Sequence, residues 1–244
     1  MPRALRIGLL AAGAFLVILV ARLPASWVVP RSGNIACESA DGSLWSGSCN
    51  GLTVARAPYG DLSWDLAPLS LFTGTLAAHV VAAHGPVSGS ADIARSIGGA
   101  IRLRNLRVDL PLDPRQLPHV PPQLRGSVHT DLALVRIEHG AVVELKGRIE
   151  AHDLTTHHMG QVSQIGSYVL SFPGGSGEPL GTLADLGGPL AVAGTLRLTR
   201  EPGYVLEGQV APRAGASPEV LGDLQMLGTP DGQGRRPFSV AGTF

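Results

Sequence analysis

Apolar and polar residues follow two different patterns along this chain, and the change falls near residue 23. From Ile7 to Ala21 the sequence carries no charge and is apolar on every helical face, with Arg6 and Arg22 as its boundaries. With Leu5 and Leu23 the run is about seventeen residues, short for a hydrocarbon core of roughly 30 Å unless flanking arginines extend to the headgroups. The pattern predicts a transmembrane helix over residues 7–23. A cleaved leader needs small residues at both −3 and −1 of the cut; cleavage after Ala25 or Ala21 would put Leu23 or Leu19 at −3. An uncleaved anchor is therefore expected. Arg3, Arg6 and the amino terminus precede the segment, while only Arg22 and Arg31 follow it closely. That bias puts residues 1–6 in the cytoplasm and 24–244 outside it.

After Pro30 helical periodicity is scarce and alternation with period two takes over. In Ala141 to Ile149 the residues Val143, Leu145 and Ile149 fall on one face, and Glu144, Lys146 and Arg148 on the other. This is the signature of a strand buried on one side. Gly194 to Thr199 sets Leu196 and Leu198 against Thr195, Arg197 and Thr199, and Tyr204 to Val210 sets Leu206 against Glu207 and Gln209. In Ile101 to Val108 the phase slips: Ile101 and Leu103 join Leu106 and Val108 only if Arg104 and Asn105 absorb an extra residue, as a bulge does. A loose motif of glycine, a small or polar residue and an apolar residue recurs, as in Gly74-Thr75-Leu76, Gly147-Arg148-Ile149, Gly194-Thr195-Leu196 and Gly242-Thr243-Phe244. Its uneven spacing predicts a twisted antiparallel β-meander and not a strict solenoid. Proline-rich 111–122 and Gly/Ser-rich 173–180 interrupt the strands, the first being the expected soft boundary. One short helix is signalled late: Ser217 caps, Pro218 fits the first turn, Glu219 suits the dipole, and Leu221, Leu224 and Leu227 form a stripe before Gly228.

Composition narrows the classes. Glycine (32) and proline (19) are abundant and aromatics are only 5%, which suits short strands and tight turns. Lys+Arg and Asp+Glu balance at 19 each, so no net field recruits nucleic acid. Cys37 and Cys49 are the only cysteines, both in the exported part, and read as one disulfide in an oxidising compartment.

Chemical motifs are scarce. Gly174-Gly175-Ser176-Gly177 lacks the Lys-Ser/Thr of a phosphate loop, and Gly-x-Ser-x-Gly is absent. His152, Asp153, His157 and His158 are the one metal-like cluster; adjacent strand histidines point apart, so a solvated turn is the reading. His79 and His84 have no acidic neighbours in sequence and read as ordinary residues. No catalytic, metal or cofactor site is expected, and no small-molecule substrate. The three tryptophans lie in the first third: Trp27 reads as an interfacial anchor, and Trp45 and Trp64 as core anchors of the first hairpins or as contacts to a partner protein.

The order of these features resembles the protein N family of the type II secretion system, also called the general secretion pathway. Leu23-Pro24 and Trp27 come first, then Cys37 and Gly42-Ser43-Leu44-Trp45-Ser46-Gly47, the most specific piece. Trp64-x-Leu66-x-Pro68 with Leu71 and Gly74 follows, and Leu224-x-x-Leu227-Gly228, Asp231-Gly232 and Gly242-Thr243-Phe244 close the chain. The resemblance implies a non-catalytic, single-pass component of the inner membrane of a Gram-negative cell. Its β-rich domain would stand in the periplasm, contact other subunits of the apparatus and assist export of folded proteins across the outer membrane. The alternative is an AsmA-like lipid-handling protein, in which the apolar face of the sheet holds an acyl chain.

Overall fold

A computed structural model describes Phe15, Ile18, Leu19 and residues 22–27, 34–55, 57–113, 120–158, 161–175, 177–201 and 203–243. These residues form one antiparallel sheet of fourteen strands. In chain order they are β1 (Ile35–Ala36), β2 (Ser39–Gly42), β3 (Ser46–Val54), β4 (Ala57–Ala67), β5 (Thr75–Ala83), β6 (Ser88–Ser96) and β7 (Ile101–Pro111). Then come β8 (Leu124–Glu138), β9 (Ala141–His158), β10 (Gln161–Pro173), β11 (Leu180–Gly187), β12 (Leu190–Thr199), β13 (Gly203–Pro212) and β14 (Arg236–Thr243). From β3 onward each strand pairs with the next, the simplest path for a chain of alternating strands and short turns; β1 and β2 share the outer edge of β3. The β-meander is thus as expected. The segment 7–23, expected to span a membrane, lies largely outside the described residues, among which no helix is long and apolar enough to cross one. Strands β7 and β8 pair from Ile101↔Ile137 to Pro111↔Ser127, so the sheet runs on past the proline-rich loop.

Register explains the two faces. Leu66, Ala78, Ile93, Leu103, Val135 and Leu145 are successive cross-strand partners from β4 to β9. One residue along, Asp65, His79, Asp92 and Arg104 form a row on the opposite face. Period two therefore yields an apolar face and a charged face over the same strands. The slip in β7 is a bulge: Ser90 pairs with Arg107 and Asp92 with Arg104, leaving two residues of β7 opposite Ala91. Asn105 takes it up in the left-handed region at φ 50°, which its short polar side chain tolerates.

The apolar face folds on itself in the second half. Leu132, Val135, Leu145 and Phe172 of β8 to β10 cluster with Leu198 of β12, and Leu196 and Tyr204 pack against them. Because β9 and β12 touch without being hydrogen-bonded neighbours, the sheet curls between them. Phe172 pairs with Gly147 and lies so close over Gly181 that a Cβ there would be 2.6 Å from its ring, a large side chain filling the space that Gly181 leaves. Val142, not Val143, joins Leu145 and Ile149 in this core. A register shift between Arg136 and Ile137 puts the extra residue of β9 there and reverses the phase before Leu145.

The late helix, α1, spans Pro218–Gln225, with Ser217 Oγ accepting from Val220 N. Its buried face is Val220 and Leu224, against Leu190, Val210, Ile165, Val192 and Phe238. This corrects the expected stripe: Leu221 and Leu227 are exposed. Ser163 Oγ of β10, buried, donates to Glu219 at 2.7 Å and accepts from Ser217, which fixes the helix in a rotation that turns Val220 inward.

Candidate functional site at the Gly42–Gly47 hairpin

The family-like hexapeptide Gly42 to Gly47 is the hairpin between β2 and β3. Gly42 and Gly47 are cross-strand partners. Ser43 N donates to Ser46 O at 2.8 Å, and Ser43 Oγ accepts from Trp45 N and Ser46 N, so the first serine closes the loop on its own backbone. Gly42 sits at φ 88°, and a Cβ there would meet Ser46 O at 2.5 Å. At Gly47 a Cβ would lie 2.7 Å from Trp64, its partner on β4. Both glycines are required by close approach, one to backbone and one to an indole.

Two other segments are stapled onto this hairpin. Leu44 N donates to Leu23 O at 2.8 Å, Pro24 forms a bridge with Ser43, and Leu44 O accepts from Trp64 Nε1 at 3.0 Å. Trp45 O accepts from Leu66 N at 2.6 Å, and Ser46 Oγ donates to Asp65 at 2.6 Å. The backbone of the hexapeptide thus joins the sheet to the residues that follow the apolar run. Trp45 and Trp64 are half-buried here, while Trp27 is 79% exposed, at the end of a 3-10 turn whose Ala25 is fully buried. Ala25 and Asp65 had no sequence signal of this role, since only the fold brings them to the hairpin.

Cys37 and Cys49 form a disulfide with Cα atoms 5.6 Å apart. Cys37 lies in the break between β1 and β2, and Cys49 in β3 beneath it is almost wholly enclosed. The bond spans the point where the edge strand loses its ladder, and closing a loop of this length contributes about 3 kcal/mol.

The histidines differ from expectation. His79 Nδ1 is 2.7 Å from Asp92, His84 is 3.4 Å from Asp61, and His152 is 3.1 Å from Glu150. Asp92 and Asp61, absent from the sequence around His79 and His84, arrive from neighbouring strands, whereas Glu150 lies two residues from His152 on the same strand. Hydrogen bonds from Asn105 and His79 hold the Asp92 carboxyl below its ordinary range. Asp109, bonded to His129, raises that imidazole. His152, Asp153, His157 and His158 lie within β9 and not in a turn, with His157↔Val162 and His158↔Gln161 in the ladder. Among the described residues no group of three or more His, Cys, Asp or Glu could hold a metal ion.

The fold defines a class of protein built as a single antiparallel meander of one-faced strands, joined through a glycine-closed hairpin to the residues that follow an N-terminal apolar run. The chain belongs to the family described as type II secretion system (T2SS), protein N, whose model matches residues 33–239. Membership makes it a secretion-system component that works with other type II subunits. No curated protein and no solved structure matches it.

Proposed function

We propose that this chain is a non-catalytic inner-membrane component of the type II secretion system, assisting the export of folded periplasmic proteins across the outer membrane. Residues 7–23 anchor it and 24–244 stand in the periplasm, held beside the inner-membrane subunits at high effective concentration so that weak contacts suffice. The family match carries the reading. Phe15, Ile18 and Leu19 support the anchor: they have helical backbone and are exposed, and Arg22 N donates to Ile18 O at 3.0 Å. The curled second half supports a scaffold over acyl-chain carriage, because Phe172, Leu132 and Leu145 fill its interior.

Deleting the gene is expected to leave folded, active type II substrates in the periplasm while export across the inner membrane continues. Trp64→Ala, which removes the cover of Gly47 and the bond to Leu44, reduces secretion; His157→Ala with His158→Ala leaves it intact. A reporter after Phe244 is active in the periplasm, and the mature chain keeps residues 1–25. Normal secretion with altered membrane lipid composition in the deletion strain would contradict the proposal and favour lipid handling.

A further inference from the structure

Cross-strand register places several turns at one end of the sheet. Ser46 pairs with Asp65, Ala67 with Ala77, Thr75 with Ser96 and Arg95 with Ile101. The hexapeptide hairpin, the β4–β5 turn (Pro68–Thr73) and the β6–β7 turn around Ile97 therefore share an end with Leu23, where the apolar run reaches the sheet. The last two turns carry large apolar side chains facing outward: Leu69 is 77% exposed, Phe72 89% and Ile97 89%. Leu71 and Leu76 extend the patch. Ile97 N donates to Gly74 O at 3.0 Å, so the two turns are one structural tip.

The hydroxyls of Ser70 and Thr73 in this tip bond to its own backbone. Ser70 Oγ donates to Ala67 O at 2.6 Å and accepts from Ala77 N, and Thr73 Oγ donates to Ser70 O at 2.8 Å. Hydroxyls satisfied by their own backbone ask nothing of water, which suits an apolar surround. Charge points the same way: segments 22–27, 68–74 and 95–100 contain Arg22 and Arg95 but no acid. The other turns at this end, in the second half of the sheet, are polar and carry Glu178 and Glu201. Exposed Trp27 ends the 3-10 turn that follows Leu23 and Pro24, and an aromatic there suits a headgroup layer.

We infer that the tip formed by Leu69, Phe72 and Ile97 is a second membrane contact, inserted into the interface of the bilayer that the N-terminal segment spans. The inference rests on the anchored reading above. A second contact adds to the clasp at Leu23 and Pro24 and fixes the sheet's orientation on the membrane. Large apolar side chains beside arginines take an anionic bilayer surface, as interfacial segments do.

The test uses the full chain with its disulfide intact, reconstituted into vesicles of phosphatidylethanolamine and phosphatidylglycerol. An environment-sensitive fluorophore is placed at Phe72→Cys, Ile97→Cys, Glu178→Cys or Gln123→Cys, all exposed positions. At 72 and 97 the emission is expected to shift to the blue and to be lost when brominated lipids replace the ordinary ones. At 178, on the acidic turns, and at 123, at the opposite end, it stays aqueous and unquenched. Aqueous emission at 72 and 97 in chains that resist alkaline washing overturns the inference and leaves the anchor standing. Blue-shifted emission that lipid does not quench also overturns it, in favour of a protein contact. A chain washed off the vesicles overturns the anchored reading and this inference together.

Discussion

The two halves of the sheet share one alternating pattern and settle it differently. Before Leu112 the buried residues among those described are alanines and cysteines: Ala25, Cys37, Cys49, Ala57 and Ala91. From Leu112 onward they include Leu132, Leu145, Phe172, Leu198, Val210 and Leu224. The second half curls and buries large side chains against one another and under α1, with Leu103 and Leu106 of β7 packed onto the same core. The first half leaves Leu62, Trp64, Leu66, Val80 and Ile93 half-buried and holds itself by ladder bonds, the stapled hairpin and one disulfide. Alternation specifies a face; only curvature decides whether that face becomes a core. A half that lacks its own core is the half with surface to offer.

Substitutions can break this contrast, beginning with the most severe. Phe172→Ala opens a void over Gly181 and among Leu132, Leu145 and Leu198, and is expected to lower stability by about 3–5 kcal/mol in denaturant titration. Leu224→Ala should lose about 2–5 kcal/mol, and Leu221→Ala, on the exposed side of the same helix, about 0.5 kcal/mol or less. Equal losses at the two leucines would refute the docking of α1. Replacing Cys37 and Cys49 together by serine is expected to cost about 3 kcal/mol. The change should appear in exchange rates of β1 to β4 amides and leave β8 to β13 unaltered.

Titration gives the smallest effects. Arg213, 2.7 Å from Asp185, holds that carboxyl below its ordinary range, as Asn105 and His79 hold Asp92. Both folded values are depressed, so this stability is present above the ordinary carboxylate range and is lost as pH falls through the folded values. Asp185→Asn should flatten that acid limb, read from thermal midpoints across pH. Tyr168, whose hydroxyl donates to Ile165 O, is pushed up to about 12 by burial. The native state then keeps a proton the unfolded chain has lost, and stability falls from the ordinary tyrosine value toward 12. A phenolate titrating fully at the ordinary value in the folded protein would contradict the burial of Tyr168.

What could be read in the sequence was whatever a short window contains. The strands around Leu145, Leu196 and Leu206 follow from alternation alone, and the bulge at Asn105 from one slip of phase. Ser217 and Pro218 mark the start of α1 because capping is local. The rotation of α1 was not legible, since Ser163 sets it from 56 residues away. Val142 displaced Val143 because the bulge lies in the pairing of β9 with β8, which no single strand records. Histidine partners such as Asp92 for His79 depend on register, as does the meeting of Leu23, Leu44 and Trp64. The hexapeptide was visible as a motif, yet its purpose, a backbone clasp, appears only with the ladder around it.

Hydrogen exchange of the full chain in a membrane mimic, resolved by segment, tests the unequal division most directly. Strands β8, β9, β12 and β13 are expected to exchange only by global unfolding, while β4 to β6 open at lower free energy and the hairpin at Gly42 to Gly47 falls between them. If β4 to β6 prove as slow as β8 and β9, the first strands have a closed core of their own, and the division of the sheet into a part with large buried side chains and a part without them is wrong.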